Sequence, residues 1–281
     1  MTDTHETEAP SNSVQSQTAK KSAAGSTKTE KPRPSNAAHF VLQGKGGVGK
    51  TLVSSLLAQY LKTTGAIVRC LDTDPVNSSL EAIEGLKAEI VPLYKEGESS
   101  TDHRALDKML SDIAEQPATY VIDNGAASFK PMVQHLIGDD SLTMLAETGC
   151  APTLHLVIAT GPELEMTLSG CATILDALPG IDNVTAVLWI NERQGSFEES
   201  TGTRFEDCGF YKEYKSEISG IVEISELSPA SKTVFSTMLA KKITFEEAVN
   251  DQEFYAMERS RLMKIKEAIF GAIRTGMEGI G

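Results

Sequence analysis

Eight consecutive residues, Gly44-Lys45-Gly46-Gly47-Val48-Gly49-Lys50-Thr51, meet the pattern G-x-x-x-x-G-K-[ST] at every fixed position. Glycines let successive backbone N–H groups turn inward around phosphate oxygens without Cβ clashes. A helix opening near Lys50 adds the positive end of its dipole. Lys50 is spaced to reach the β- and γ-phosphates of a nucleotide, and Thr51 to hold Mg²⁺. Three more polar positions follow apolar runs. Asp72-Thr73-Asp74-Pro75 comes after Ala66–Leu71, Asp123 after Tyr120-Val121-Ile122, and Asn191 after Trp189-Ile190. Carboxylates at the carboxyl ends of parallel strands face the ligand crevice. Asp123 suits Mg²⁺, commonly through water, and Asp72 is a weaker Mg²⁺ candidate. The Asn191 amide offers both a donor and an acceptor, although Asn also ends strands as a turn residue. A plain Asp-Pro turn is the alternative for residues 72–75.

These groups need elements to hold them in register. His39–Leu42 is a short apolar run directly before the loop. Leu52–Lys62 repeats apolar residues at helical spacing directly after it. Further strands are expected at Thr119–Ile122, Leu154–Ala159, Val184–Ile190 and Gly220–Ile224, with helical stretches between. That alternation implies βαβ units and a mostly parallel, twisted sheet covered by helices on both faces, an α/β fold.

The 281 residues carry 26 basic and 39 acidic side chains, a net charge of −13, which argues against wholesale coating of nucleic acid. Residues 1–37 are rich in Ser, Thr, Ala, Lys and Pro. They have Val14 as their one large aliphatic residue and read as a disordered arm. Residues 38–275 read as one domain and 276–281 as a flexible end. No apolar run reaches the roughly 20 residues of a membrane span. The four cysteines form no CxxC pair and read as reduced thiols, so a cytoplasmic location is expected.

Lys45 is a second lysine near the start of the loop, where a cation can reach a phosphate across a two-fold interface. With that lysine, Lys45-Gly46-Gly47-Val48-Gly49-Lys50-Thr51 resembles the deviant Walker A loop of the ParA/MinD superfamily of P-loop ATPases, of SIMIBI type. The likeness extends over about residues 39–250. It is most specific to the TraL/StbB subgroup through His39–Lys50, Asp72-Thr73-Asp74-Pro75-Val76-Asn77 and Val121-Ile122-Asp123-Asn124-Gly125-Ala126. The resemblance implies ATP/ADP and Mg²⁺ as ligands and a homodimer formed on ATP binding. It implies that Lys45 contacts the partner's nucleotide, that Asp74 helps orient the attacking water, and that Asn191 reads adenine. One departure stands out. The family's D-T-P-P-G becomes Asp123-Asn124-Gly125-Ala126-Ala127, without prolines, so a looser γ-phosphate segment is expected.

The leading expectation is a slow, partner-stimulated ATPase switch acting in plasmid conjugal transfer, partition or positioning, with a conjugation or plasmid-stability protein as partner. Nonspecific DNA contacts would come from Arg259, Arg261, Lys264 and Lys266. A membrane-positioning ATPase is an alternative. It would use Asp251–Arg274 as an amphipathic helix with Phe254, Leu262, Ile265, Ile269 and Ile273 as its stripe, although such a stripe also suits a last core helix. A synthetase on the same fold is another.

Overall fold

The computed structural model describes residues 36–74, 77–94 and 101–280. The N-terminal arm lies outside these up to residue 35, as do Pro75 and Val76. Seven strands among the described residues form one sheet: β1 (Ala37–Leu42), β2 (Val68–Asp72), β3 (Glu89–Ile90), β4 (Thr119–Asp123), β5 (Ala151–Ala159), β6 (Thr185–Asn191) and β7 (Gly220–Ile224). Their order is β3-β2-β4-β1-β5-β6-β7, and every neighbouring pair is parallel. β1 begins at Ala37, one residue inside the stretch read as arm. β3 has two residues, too few for any periodicity to reveal it.

The helices are α1 (Lys50–Thr63), α2 (His103–Glu115), α3 (Phe129–Val133), α4 (Ser141–Glu147), α5 (Leu164–Leu175), α6 (Phe197–Thr201), α7 (Gly209–Tyr214), α8 (Pro229–Ala240), α9 (Phe245–Asn250) and α10 (Ala256–Gly276). A strand buried on both faces needs a continuous apolar run, because successive side chains enter opposite layers. β1 does this: Phe40 and Leu42 enter the layer covered by α2–α7, and Val41 enters the layer covered by α1 and α8–α10. β4 repeats it with Tyr120 and Ile122 against Val121.

α10 is a core helix. Leu262, Ile265, Ile269 and Ile273 are buried, with Phe254 just ahead, and the helix packs on β7, α8, α9 and α1. The stripe considered for a membrane surface is therefore already covered. Of the four basic residues, Arg259 is committed to the Phe254 carbonyl at 2.6 Å, and the Lys266 ammonium lies 5.4 Å from the centre of the Phe270 ring. Arg261 is half-buried, and Lys264 is exposed. After α10, Met277 is buried and Ile280 packs on the same core. Among the described residues, no helix is long and apolar enough to cross a membrane. All four cysteines are free, Cys70, Cys150 and Cys171 buried and Cys208 half-buried.

A chain of rings crosses the sheet below the loop. Trp189 Nε1 donates to His155 Nδ1 at 2.8 Å, and His155 Nε2 lies 3.0 Å from His39 Nδ1. The indole can only donate, so His155 Nδ1 must accept, Nε2 carries the proton, and His39 Nδ1 accepts it in turn. Burial pushes the His39 imidazole down to about 4, and burial together with the neighbouring His39 holds His155 well below its ordinary value, so both rings are neutral.

Candidate nucleotide site

β1 lies between β4 and β5: the chain builds β2, β3 and β4 to one side of it and then crosses over to build β5, β6 and β7 on the other. This is the switch point at which open α/β sheets bind ligands. The glycine-rich loop leaves the carboxyl end of β1 there and runs straight into α1. Gly47 and Gly49 have φ of 78° and 104°, a region that side-chain-bearing residues rarely adopt. At Gly49 a Cβ would also sit 2.7 Å from Asn191 Nδ2, so glycine is required there twice over.

The base of the loop is held by Gln43, which sequence reasoning did not single out. Its buried amide donates to the carbonyls of Val157 at 2.7 Å and Thr167 at 3.0 Å, while its oxygen accepts from Gly44 N at 2.8 Å. Asn191 holds the other side. It ends β6, is buried, and donates to the Val48 carbonyl at 2.9 Å. The amide nitrogen thus engages loop backbone, a contact that the sequence did not suggest.

The charged groups converge on a cleft of about 380 Å³ lined by loop residues, Asp74, Asn77, Ser79 and Asp123–Ala126. Lys50 folds back over the loop and donates to the Lys45 carbonyl at 3.1 Å. Burial lowers its ammonium from the ordinary value, and the Asp123 and Asp74 carboxylates counter that shift. Asp123 accepts from Thr51 Oγ1 at 2.7 Å and from Ser54 Oγ at 2.9 Å. Ser54 was not anticipated. It lies one turn beyond Thr51 on the same face of α1. Burial nevertheless pushes the Asp123 carboxyl up to about 6, outweighing the two hydroxyl bonds. A hydroxyl and a carboxylate in contact at the cleft form a hard-oxygen pair, the donor chemistry that Mg²⁺ takes.

The two acids of the β2 end do different jobs. Asp72 is fully buried and accepts from the backbone N–H groups of Asp74, Leu80 and Glu81, at 3.0, 2.9 and 3.1 Å. It organises the loop after β2, and its oxygens are spent on that backbone instead of facing the cleft. Asp74 lines the cleft and accepts from Asn77 N at 3.1 Å. Gly125 lies so close that a Cβ there would sit 2.8 Å from Asp74 Cγ. The glycine that replaces a family proline therefore makes room for Asp74.

The segment without prolines is not left untied. Thr73 Oγ1 donates to Asp123 O at 3.0 Å and to Asn124 Oδ1 at 3.2 Å. Ser128 Oγ donates to Asn124 Oδ1 at 3.0 Å. Asn124 and Ser128 are both buried. Asn124 thus links Thr73, just after β2, to Ser128, just before α3. Lys45 also has a partner that the sequence did not reveal. Its ammonium lies 3.0 Å from Glu163, just before α5, with both side chains about one third exposed.

Residues 39–175 match the CobQ/CobB/MinD/ParA nucleotide binding domain. Two proteins of Escherichia coli, each described as Protein TraL, are 34% and 33% identical to the chain over 233 and 236 residues. The alignments cover 83% and 84% of this chain and 95% and 96% of theirs. Among solved structures, the MinD cell division protein of Aquifex aeolicus aligns with a TM-score of 0.47 and 17% identity, covering 84% of this chain and 97% of that one.

Proposed function

Because the chain belongs to the ParA/MinD family of nucleotide-binding domains, alongside the TraL proteins, we propose that it is an ATP-hydrolysing switch that dimerises on ATP and acts in plasmid conjugal transfer, partition or positioning. The observation that carries this reading is the pair of lysines on one loop. Lys50 is drawn inward over the loop, while Lys45 reaches a third-exposed surface position at Glu163.

In this reading the loop amides from Gly44 to Thr51 and the Lys50 ammonium take the β- and γ-phosphates. Thr51 and Asp123 hold Mg²⁺, which neutralises charge on the phosphate oxygens. Asp74, beside Gly125, orients the attacking water. The Lys45 ammonium leaves Glu163 and reaches the nucleotide of a second copy. An exposed ion pair contributes roughly 0–1 kcal/mol, so a charged phosphate can displace it. Asn191, whose amide nitrogen holds the Val48 carbonyl, is the adenine contact in this scheme.

Light scattering coupled to size-exclusion chromatography tests the switch. The expected result is a monomer without nucleotide or with ADP, and a dimer with a slowly hydrolysed ATP analogue. Asp74→Ala should retain ATP binding, hydrolyse at least ~10-fold more slowly and prolong the dimer. A monomer under every nucleotide overturns the reading.

A further inference from the structure

On the face of the sheet covered by α2–α7, two helical segments meet edge to edge and bring four chemistry-bearing side chains together. α2 begins with His103 and carries Asp107 one turn later. α3 continues into a single π turn, Gln134–Gly138, which carries His135, and Asp139 follows it. The π turn is closed by Asp139 N donating to Gln134 O at 2.9 Å. Such wide turns are rare and concentrate at functional sites. Here the turn brings His135 and Asp139, four positions apart, onto one side.

His135 is the anomaly. Its side chain is only 5% exposed, yet neither ring nitrogen makes a hydrogen bond. A buried imidazole with both nitrogens unsatisfied costs free energy that native structures rarely leave uncompensated. Both nitrogens nevertheless face carboxylates. Nδ1 is 3.5 Å from Asp139 Oδ2, and Nε2 is 3.2 Å from Asp107 Oδ1, in each case without hydrogen-bond alignment. The His103 ring is tilted against it with centres 5.9 Å apart. One donor atom each from His103, His135 and Asp139 lies within 4.8 Å of the others.

We propose that His103, His135 and Asp139 form a zinc site that clips α2 to the π turn. Two imidazoles and a carboxylate are the borderline donor set that suits Zn²⁺ over Mg²⁺ or Ca²⁺. Bonds of ~2.0–2.1 Å in a tetrahedron put ligand atoms ~3.3 Å apart, close to the His135–Asp139 separation. His103 and Asp139 are exposed, so small side-chain rotations close the remaining distance. With His135 bound through Nδ1, its Nε2–H is left for Asp107, the carboxylate–imidazole–metal relay that fixes tautomer and ring orientation. The site is separate from the phosphate cleft, but its helix is not independent of the loop. Phe129, the first residue of α3, has ring atoms 2.8 Å from where a Gly44 Cβ would stand.

Zinc titrated by calorimetry into the full chain, stripped by chelator and free of nucleotide, tests this without any assumption about ATP. The expected result is one Zn²⁺ per chain and a higher melting temperature. His103→Ala and Asp139→Asn, both at exposed positions where folding is not at risk, should each weaken binding at least ~10-fold. Asp107→Asn should weaken it ~10-fold through the relay. Co²⁺ substituted for zinc should give the visible absorption of a tetrahedral site, lost in His103→Ala. No stoichiometric uptake overturns the proposal. So does uptake that survives His103→Ala and Asp139→Asn, or uptake that disappears instead with His5→Ala or Asp123→Asn.

Discussion

Two polar clusters sit in the sheet within a few residues of each other, and burial acts on them with opposite chemical consequences. In the cleft, Asp123 is an acid pushed up to about 6. Below it, His39 is a base pushed down to about 4. In both cases removal from water disfavours the charged form. The cleft still gathers ions of both signs, Lys50 with Asp74 and Asp123, because it opens at the carboxyl ends of the strands, where a charged ligand with its own cation can complete the balance. The ring chain has no opening. It satisfies itself with neutral donors and acceptors, from the Trp189 indole to His155 to His39. One region is built to exchange charge and the other to exclude it.

The largest expected effect attacks the cleft alone. Lys50→Ala removes the cation nearest the β- and γ-phosphates and should abolish measurable ATP binding by calorimetry with Mg²⁺, leaving the ring chain and thermal stability intact. Unchanged affinity would sink the phosphate-loop assignment.

Acid stability sharpens the contrast, because the two regions contribute with opposite sign. His39 binds a proton in the unfolded chain below its ordinary value of 6.5 but in the fold only near 4, so stability is lost as pH falls between those values. His155 acts in the same direction. Asp123 takes its proton in the fold near 6 and in the unfolded chain only near 3.8, so it adds stability as pH falls. Each shift of about two units corresponds to roughly 3 kcal/mol. Asp123→Asn should therefore steepen the loss of stability from pH 6.5 to pH 4 by about that amount, and His39→Gln should flatten it. Urea titrations across this range measure both. Parallel slopes in all three proteins would remove the comparison.

Lys45→Ala comes next. It should leave monomer binding of ATP nearly intact, since Lys50 and the loop amides remain. Two charge-assisted phosphate contacts per dimer, at roughly 1.5–3 kcal/mol each, put the expected loss in dimer affinity at ~100-fold or more. Sedimentation with a nonhydrolysable analogue reads it, and an equally tight dimer in the variant argues that this lysine does not bridge the interface. The smallest effect is Glu163→Gln, which frees Lys45 from an exposed partner. It should strengthen the ATP-bound dimer by no more than about 30-fold, consistent with two ion pairs per dimer each worth under ~1 kcal/mol. A weaker dimer would mean that Glu163 positions the lysine instead of restraining it.

Much of this was legible before any fold was drawn. The phosphate loop, the β1 run before it and the α1 period after it form one continuous stretch, and its chemistry depends on neighbours along the chain. The carboxylates at the ends of β2 and β4 could be located because each closes an apolar run, and the family resemblance set Asp74 apart as the water-orienting residue, but nothing local announced that Asp72 is spent on backbone. Asp72 and Asp74 differ only in which way the chain turns after β2: one oxygen pair meets three backbone N–H groups, and the other lines the cleft. The α10 stripe had two readings in sequence, since a helix that coats a membrane and one that coats a sheet bury the same spacing of apolar residues. Packing against β7 and α8 decided it.

The sequence by itself determined what is local: a phosphate-binding loop in strand–loop–helix context, a parallel sheet covered on both faces, and acids at strand ends. Helix period, strand alternation and glycine spacing act over fewer than about ten residues, so they can be read in order. Tertiary structure alone decided the pairs. Asn191 meets Val48 across 143 positions, Gln43 meets Thr167 across 124, and His39 meets His155 across 116. Lys45 and Glu163, and His135 with Asp107, are likewise brought together by strand order and helix placement. Nothing in the local chemistry of either partner announces such a contact. It exists because β1 was laid between β4 and β5, and that choice is made by the burial of the whole sheet at once.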